Sequence, residues 1–265
     1  MVIDCATFYN ELDILEMRLT ELYDVVDKFI LVEATRTHKG DPKPLYYAEN
    51  RRRFDRWNNK IISITWGDMP DGDSLAAIWR REIGQRQTIL QGLRDIPDDA
   101  MVMISDVDEI PRREAVEWLK QHSLDEVIVT FKQQLYYYNV NTACNNIEWL
   151  GTRATTAANV RALTPDGVRW EGLRSAQYPR RVMLGGAHAP EQGTFGGAVF
   201  GMPEAHAGWH LSYFGDVQHI QNKMRAFLHQ ELVNEATLDP DAIARRMVDG
   251  VDIWGREGEQ RFTIG

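Results

Sequence analysis

The chain has 265 residues, enough for one large domain or two small ones with a full core and no covalent staples. Charged residues at 26% and hydrophobic ones at 43% give an ordinary globular balance, which excludes disordered and fibrous classes. Thirty basic against 39 acidic residues leave a net charge of −9, which excludes nucleic-acid binding through bulk electrostatics.

No apolar run approaches the roughly 20 residues that span a bilayer. Met1 to Cys5 carry neither the basic start nor the long apolar stretch of a secretory signal, so a soluble, cytoplasmic chain is expected. Cys5 and Cys144 read as buried thiols rather than a bridge. Eight Trp and nine Tyr are many for this length, and sugar-binding sites are one place where such side chains are used.

The first 130 residues alternate strand and helix. Residues 2–9 read as a strand, and 11–23 as a helix with apolar residues at 12, 15, 19 and 22. The continuous apolar runs 29–32, 61–65 and 101–104 read as buried parallel strands. Residues 50–56 read as a solvated helical face and 75–93 as one helix. A further helix is expected to start at Pro111, and 125–131 to return as a strand. This alternation predicts a parallel, doubly wound α/β sheet, whose ligands lie beyond the C-terminal strand ends near the switch in strand order. From 136 to 201 the chain is richer in glycine, with Gly185-Gly186 and Gly196-Gly197 in an expected mobile loop. Residues 207–214 read as a strand, and 216–235 and 240–249 as closing helices. One domain is expected over 1–265, with a first half (1–135) of alternating strands and helices and a more irregular second half (136–265).

The strongest local pattern is Ile104-Ser105-Asp106-Val107-Asp108-Glu109, an apolar strand that delivers three carboxylates to the ligand rim. If the extended geometry persists, Asp106 and Asp108 point the same way, and two adjacent acids suit a hard cation such as Mn²⁺ or Mg²⁺. The plainer reading is that these acids complement the N-terminus of the helix expected at Pro111. Arg86 falls on the apolar seam Trp79, Ile83, Leu90 and Leu93, so it either pairs with Glu82 or reaches a ligand. Asn10, Glu11 and Glu33 lie just past strand ends, and Glu33 can accept from a ribose or a base edge. Arg36, His38, Lys39 and Lys43 line the same rim or are merely solvated. In 208–213 alternation sets Trp209, Leu211 and Tyr213 on one face and His210 and Ser212 on the other. His210 is then either a metal or phosphate contact or a satisfied structural histidine, and His229 has the same two readings. Trp149, Trp170 and Tyr136 to Tyr138 either stack on sugars or form core.

The runs Asp4 to Leu19, Leu22 to Asp27, Val32-Glu33-Ala34, Lys43-Pro44-Leu45, Gln85-Arg86 and Ile104 to Arg112 together resemble glycosyltransferase family 17. Gly208 to Tyr213, Lys223 to Phe227 with His229, and Asp249-Gly250 with Asp252 keep the same order and spacing. That family includes animal enzymes that add the bisecting N-acetylglucosamine to N-glycans. The resemblance implies a GT-A-type, Rossmann-like fold, a UDP-sugar donor and inversion at the anomeric carbon. It implies Asp106 and Asp108 at a metal-bound diphosphate, Glu33 near uridine, Arg86 near the phosphates and His210 near the metal or diphosphate. Inversion needs a general base, for which Glu109, Glu148 and Glu171 are the candidates. The chain begins without the membrane anchor and stem of the animal members, so a microbial or viral form with its own glycan or glycoconjugate acceptor is expected.

The expected function is therefore metal-dependent transfer of a sugar, N-acetylglucosamine in the first place, from a UDP-sugar to a glycan hydroxyl. A nucleotidyl- or phosphotransferase on the same acids, or a non-catalytic sugar-binding module, are the alternatives. No nucleic-acid partner and no membrane span are expected.

Overall fold

A computed structural model describes residues 1–125, 127–170, 180–184, 199–200, 206–226, 232–255 and 262–264. In chain order its elements are β1 (Val2–Phe8), α1 (Leu12–Leu22), β2 (Lys28–Ala34), α2 (Tyr46–Glu49), a 3-10 helix (Arg51–Trp57), β3 (Ile61–Trp66), α3 (Leu75–Gln87) and α4 (Ile89–Gly92). There follow β4 (Met101–Asp106), β5 (Glu109–Pro111), α5 (Arg113–Leu119), β6 (Val127–Tyr137), β7 (Thr142–Thr156), α6 (Ala157–Leu163) and α7 (Pro165–Trp170). The last are β8 (Arg180–Leu184), β9 (Val199–Phe200), β10 (Gly208–Ser212), α8 (Val217–Ala226), α9 (Glu235–Leu238), α10 (Pro240–Asp249) and β11 (Phe262–Ile264).

Among the described residues these strands form one mostly parallel sheet, its main path β3-β2-β1-β4-β7-β6-β10-β5. The parallel start β3-β2-β1-β4 is Rossmann-like, since the chain steps outward from β1 to β3 and then returns to the other side of β1. The switch point therefore lies between β1 and β4. Alternate β1 residues face opposite cores. Val2, Ala6 and Phe8 pack with Leu15, Leu19 and Leu22 of α1, while Ile3 and Cys5 pack with Ile89, Leu93 and Val160. Burial on both faces explains why β1, β2 and β4 read as continuous apolar runs.

The sheet then closes back on itself. β4 and β5 are joined by two residues, yet β7, β6 and β10 lie between them in the hydrogen-bonded path. A flat sheet would separate them by about 19 Å at ~4.8 Å per strand, while the three virtual bonds from Asp106 to Glu109 reach at most about 11 Å. The long β6–β7 hairpin absorbs the bend, with register shifts between Thr130 and Lys132 and between Gln133 and Leu135.

Several expected elements differ. The helix expected over 75–93 breaks at Thr88, whose Oγ1 donates to the Gly84 carbonyl at 2.9 Å. Its buried side carries Ile78, Arg81 and Gln85, because α3 covers loop backbone as well as core. Pro111 ends the short strand β5 instead of opening a helix, and α5 begins at Arg113. A proline is tolerated there because, among the described residues, β5 pairs with β10 alone. Residues 51–57 form a 3-10 helix whose Phe54 and Trp57 are buried beneath exposed arginines. Of the loop expected over 185–201, Val199–Phe200 form β9, and the rest, like His229 and Glu171, lies outside the described residues. Among the described residues no helix is long and apolar enough to cross a membrane.

Candidate active site

A cavity of about 460 Å³ opens beyond the C-terminal ends of β1, β2, β4, β6 and β10. It straddles the β1–β4 switch point, where a doubly wound sheet offers a crevice because its loops diverge. Eight of the expected ionisable residues line it, Glu11, Arg36, His38, Lys43, Arg86, Asp106, Asp108 and His210, whereas Lys39 does not.

The acidic segment does not continue as a strand. β4 ends at Asp106, and Val107-Asp108 form a turn, so the two aspartates reach the cavity by curling rather than by alternation. Asp106 keeps 44% of its side-chain surface open. Its Oδ1 accepts from Thr7 Oγ1 at 3.3 Å and lies 3.7 Å from Arg86, while Oδ2 accepts from Arg169 Nη2 at 3.3 Å. Burial would raise this carboxyl, but Arg169 and then Arg86 overcome it and hold Asp106 below its ordinary value. Asp108 is buried, with Oδ2 2.7 Å from Lys223 Nζ and 3.6 Å from His210 Nε2. Against burial, Lys223 and His210 hold its carboxyl far below the usual carboxylate range. Lys223 is raised in turn, since Asp108 and Glu11, the latter at 3.5 Å, outweigh the cost of burying an ammonium.

Glu109 stands behind this wall. It is fully buried, and Arg169 grips both its oxygens at 2.6 Å. Trp149 Nε1 donates to Oε1 at 2.9 Å and the Asp106 backbone N–H to Oε2 at 3.1 Å. Such a bidentate fork is the strongest form of the Arg–carboxylate pair. Arg86 makes the intrahelical bond to Glu82, at 2.7 Å, and also meets Asp166 at 2.5 Å while lining the cavity. The two readings of Arg86 are therefore compatible.

Glu33, Asn10 and Glu148 lie elsewhere. Glu33 is buried away from the cavity, where it accepts from the backbone N–H groups of Tyr47 (3.0 Å) and Ala48 (3.4 Å). Burial raises its carboxyl despite Tyr47 and the neighbouring Lys43. Lys43 does line the cavity, with Nζ 5.5 Å from the Tyr9 ring and 5.3 Å from the Tyr46 ring. Asn10 donates its backbone N–H to Glu11 Oε2 at 3.0 Å without lining the cavity. Glu148 is 62% exposed and paired with Lys132. Tyr137 and Trp149 line the cavity, Tyr138 belongs to the core, and Tyr136 packs near Ile110 and Leu211.

β10 keeps the expected alternation until its end. His210 and Ser212 line the cavity and Leu211 packs with Ile14 and Ile110. Tyr213 then takes φ +54°, a left-handed conformation uncommon for a bulky residue, and its ring joins the cavity wall. His210 packs on Trp149 with centroids 4.1 Å apart and planes tilted by 34°, and its buried Nδ1 has no hydrogen-bond partner among the described residues.

Arg169, Lys223 and Asp166 are not singled out by the sequence reasoning. Lys223 sits within a quoted run, but its partner Asp108 is 115 positions away. Arg169 lies on the six-residue α7, too short for periodicity to mark a buried face.

The family model of glycosyltransferase family 17 matches residues 1–161, which include the whole β1–β4 switch point and both aspartates. The chain belongs to glycosyltransferase family 17. Over 125 residues it is 32% identical to the beta-1,4-mannosyl-glycoprotein 4-beta-N-acetylglucosaminyltransferases of Rattus norvegicus and Homo sapiens. That match covers 45% of this chain and 23% of each relative. The family 17 match ends before α7, so Arg169, β10 and Lys223 lie beyond it.

Proposed function

We propose that this family 17 chain transfers N-acetylglucosamine from UDP-N-acetylglucosamine to a glycan hydroxyl, with inversion. The observation that carries this reading is the cavity at the switch point, where Asp106 and Asp108 stand among Arg86, Arg169 and Lys223. A nucleoside diphosphate leaving group accumulates negative charge, and fixed cations in a partly closed site stabilise it without reorganising.

The donor set fits Mn²⁺ or Mg²⁺. Two carboxylates on one turn, beside a histidine with an unpartnered ring nitrogen, make an open site whose other ligands would be phosphate oxygens and water. Among the described residues no group of three or more His, Cys, Asp or Glu side chains is placed to hold a metal ion, so Asp106, Asp108 and His210 do not form a ready-made three-ligand set. Asp106 and Asp108 would hold the ion, which when bound supplies a Lewis acid against the diphosphate charge. Arg86 and Arg169 orient the phosphates, and Lys223 shields the Asp108 side of the turn. Glu109, bound on both oxygens, orients Arg169. The general base is then Glu82, whose Oε2 is buried without a partner among the described residues, or Glu171.

Product analysis tests the reading. The chain is incubated with UDP-N-acetylglucosamine, Mn²⁺ and an N-glycan core carrying the β-1,4-linked mannose named in the relatives. Release of UDP with a mass gain on the glycan supports it. Release of pyrophosphate from a nucleoside triphosphate and a sugar phosphate instead would make the chain a nucleotidyltransferase. Glycan binding with no turnover would make it a binding module.

A further inference from the structure

Arg18 is among the largest fully buried side chains of the protein, 1% exposed, on the core face of α1 between Leu15 and Leu22. It does not line the cavity. Part of its guanidinium neutralises Asp4 in the middle of β1, through Nε to Oδ2 at 2.7 Å and Nη2 to Oδ1 at 2.6 Å. Were that its whole task, a lysine would serve, since a point charge also compensates a buried carboxylate.

The rest of the fork points elsewhere. Nη2 also donates to Ser105 Oγ at 2.6 Å. Nη1 faces the backbone carbonyls of Asp106 (3.1 Å), Val107 (3.3 Å) and Glu109 (2.9 Å). The carbonyl of Asp108, the one missing from this set, accepts from the Leu211 N–H of β10 at 2.8 Å. Every carbonyl from Asp106 to Glu109 is thus assigned, that of Glu109 accepting also from Thr152 Oγ1 at 3.2 Å. Three carbonyls of one short turn converge on a single nitrogen only if the chain curls around it. That curl sends Asp106 and Asp108 into the same cavity after extended geometry is lost.

We propose that Arg18 is a positioning residue: from beneath the turn it fixes the relative placement of Asp106 and Asp108, and so sets how tightly the site takes a nucleoside diphosphate. The inference rests on the reading of those two aspartates as the diphosphate-facing pair. Arg18 touches no substrate and acts through the backbone of residues 106–109.

Two variants test it. Arg18→Lys keeps a charge for Asp4 but lacks the planar fork that serves Ser105 and the carbonyls together. Ser105→Ala keeps Arg18 and removes only the hydroxyl that holds Nη2. Each is compared with the unchanged chain by thermal unfolding, by calorimetric binding of UDP with Mn²⁺, and by amide hydrogen exchange over residues 101–111. A positioning role predicts Arg18→Lys folded, with UDP bound at least about 10-fold more weakly and faster exchange at Val107 to Glu109, as for an outer-shell partner of a ligand site. Ser105→Ala shows the same signature at about threefold, the loss of one hydrogen bond. A purely structural ion pair predicts a lower melting temperature with UDP affinity and turn exchange unchanged below it, and that result overturns the proposal. If Arg18→Lys fails to fold, Ser105→Ala decides alone: weaker binding with faster exchange supports the role, and unchanged values overturn it. If the unchanged chain does not bind UDP, the donor reading falls, and the exchange rates still decide whether Arg18 holds the turn.

Discussion

At Asp108 the ammonium of Lys223, with 15% of its side-chain surface open on the cavity wall, keeps a buried carboxylate charged. The pair has a definite pH signature in protein held metal-free with EDTA. The folded carboxyl lies below its unfolded value, so its contribution is present above about pH 4 and is lost as pH falls further. Lys223 lies above its unfolded value, so its contribution is present below about pH 10 and is lost as pH rises. Asp108→Asn should therefore cost a constant amount between pH 5 and 9, near the lower end of the about 3–5 kcal/mol for breaking a buried pair, because Glu11 remains beside Lys223. Urea unfolding at a series of pH values checks this, and the difference from the unchanged chain should shrink below pH 4. The same variant should lower transfer at least about 100-fold while its circular dichroism is retained, since several kcal/mol of charge stabilisation disappears. How far single residues were legible depended on periodicity. Arg86 stood out as a charge on an expected apolar seam; Arg18, between Leu15, Leu19 and Leu22, obeys the same rule but was not singled out. Arg169 was not, because its partner Glu109 is 60 positions away and no long helix frames it.

Among the elements, the short β5–β10 pairing carries the acidic turn's exit. Gly208 faces Pro111 across it, and a Cβ there would stand 2.2 Å from the Ile110 carbonyl oxygen, a backbone atom that cannot swing aside. Gly208→Ala should push β5 away from β10, with about 1–3 kcal/mol of overpacking cost and weaker UDP binding, measurable by denaturant titration and calorimetry. The loop after β2 gives a second prediction. Gly40 has φ +112° and abuts the guanidinium of Arg81, which donates to the carbonyls of Pro70, His38, Lys39 and Gly72. Gly40→Ala strains this hub by about 1–3 kcal/mol and should loosen the loop that brings Arg36 and Lys43 to the cavity. Raised exchange over residues 36–43 would report it, and rates equal to the unchanged chain would contradict it. The parallel strands β1, β2 and β4 were readable because burial on both faces makes them continuous apolar runs, whereas β3, expected to be buried, ends the sheet path half-exposed. The break at Thr88 and the strand at Pro111 were not, because each depends on a partner, the Gly84 carbonyl or β10, that local sequence does not name.

For the molecule as a whole, a chain of net charge −9 concentrates Lys43, Arg86, Arg169 and Lys223 around one cavity. Overall charge therefore gives no warning of this cluster, which also includes Glu11, Glu82, Asp106 and Asp108, because a net count does not report where charges are placed. Nor did the sequence reveal the closure of the sheet. It rests on two residues between β4 and β5 and on the bend of the β6–β7 hairpin, both consequences of strand order. The decisive measurement is calorimetric binding of a panel of UDP-sugars, with Mn²⁺ and again with EDTA. Tight binding of UDP-N-acetylglucosamine that EDTA abolishes is the predicted result. Failure of every UDP-sugar to bind in the presence of Mn²⁺ would contradict the assignment of the cavity to a sugar-nucleotide donor.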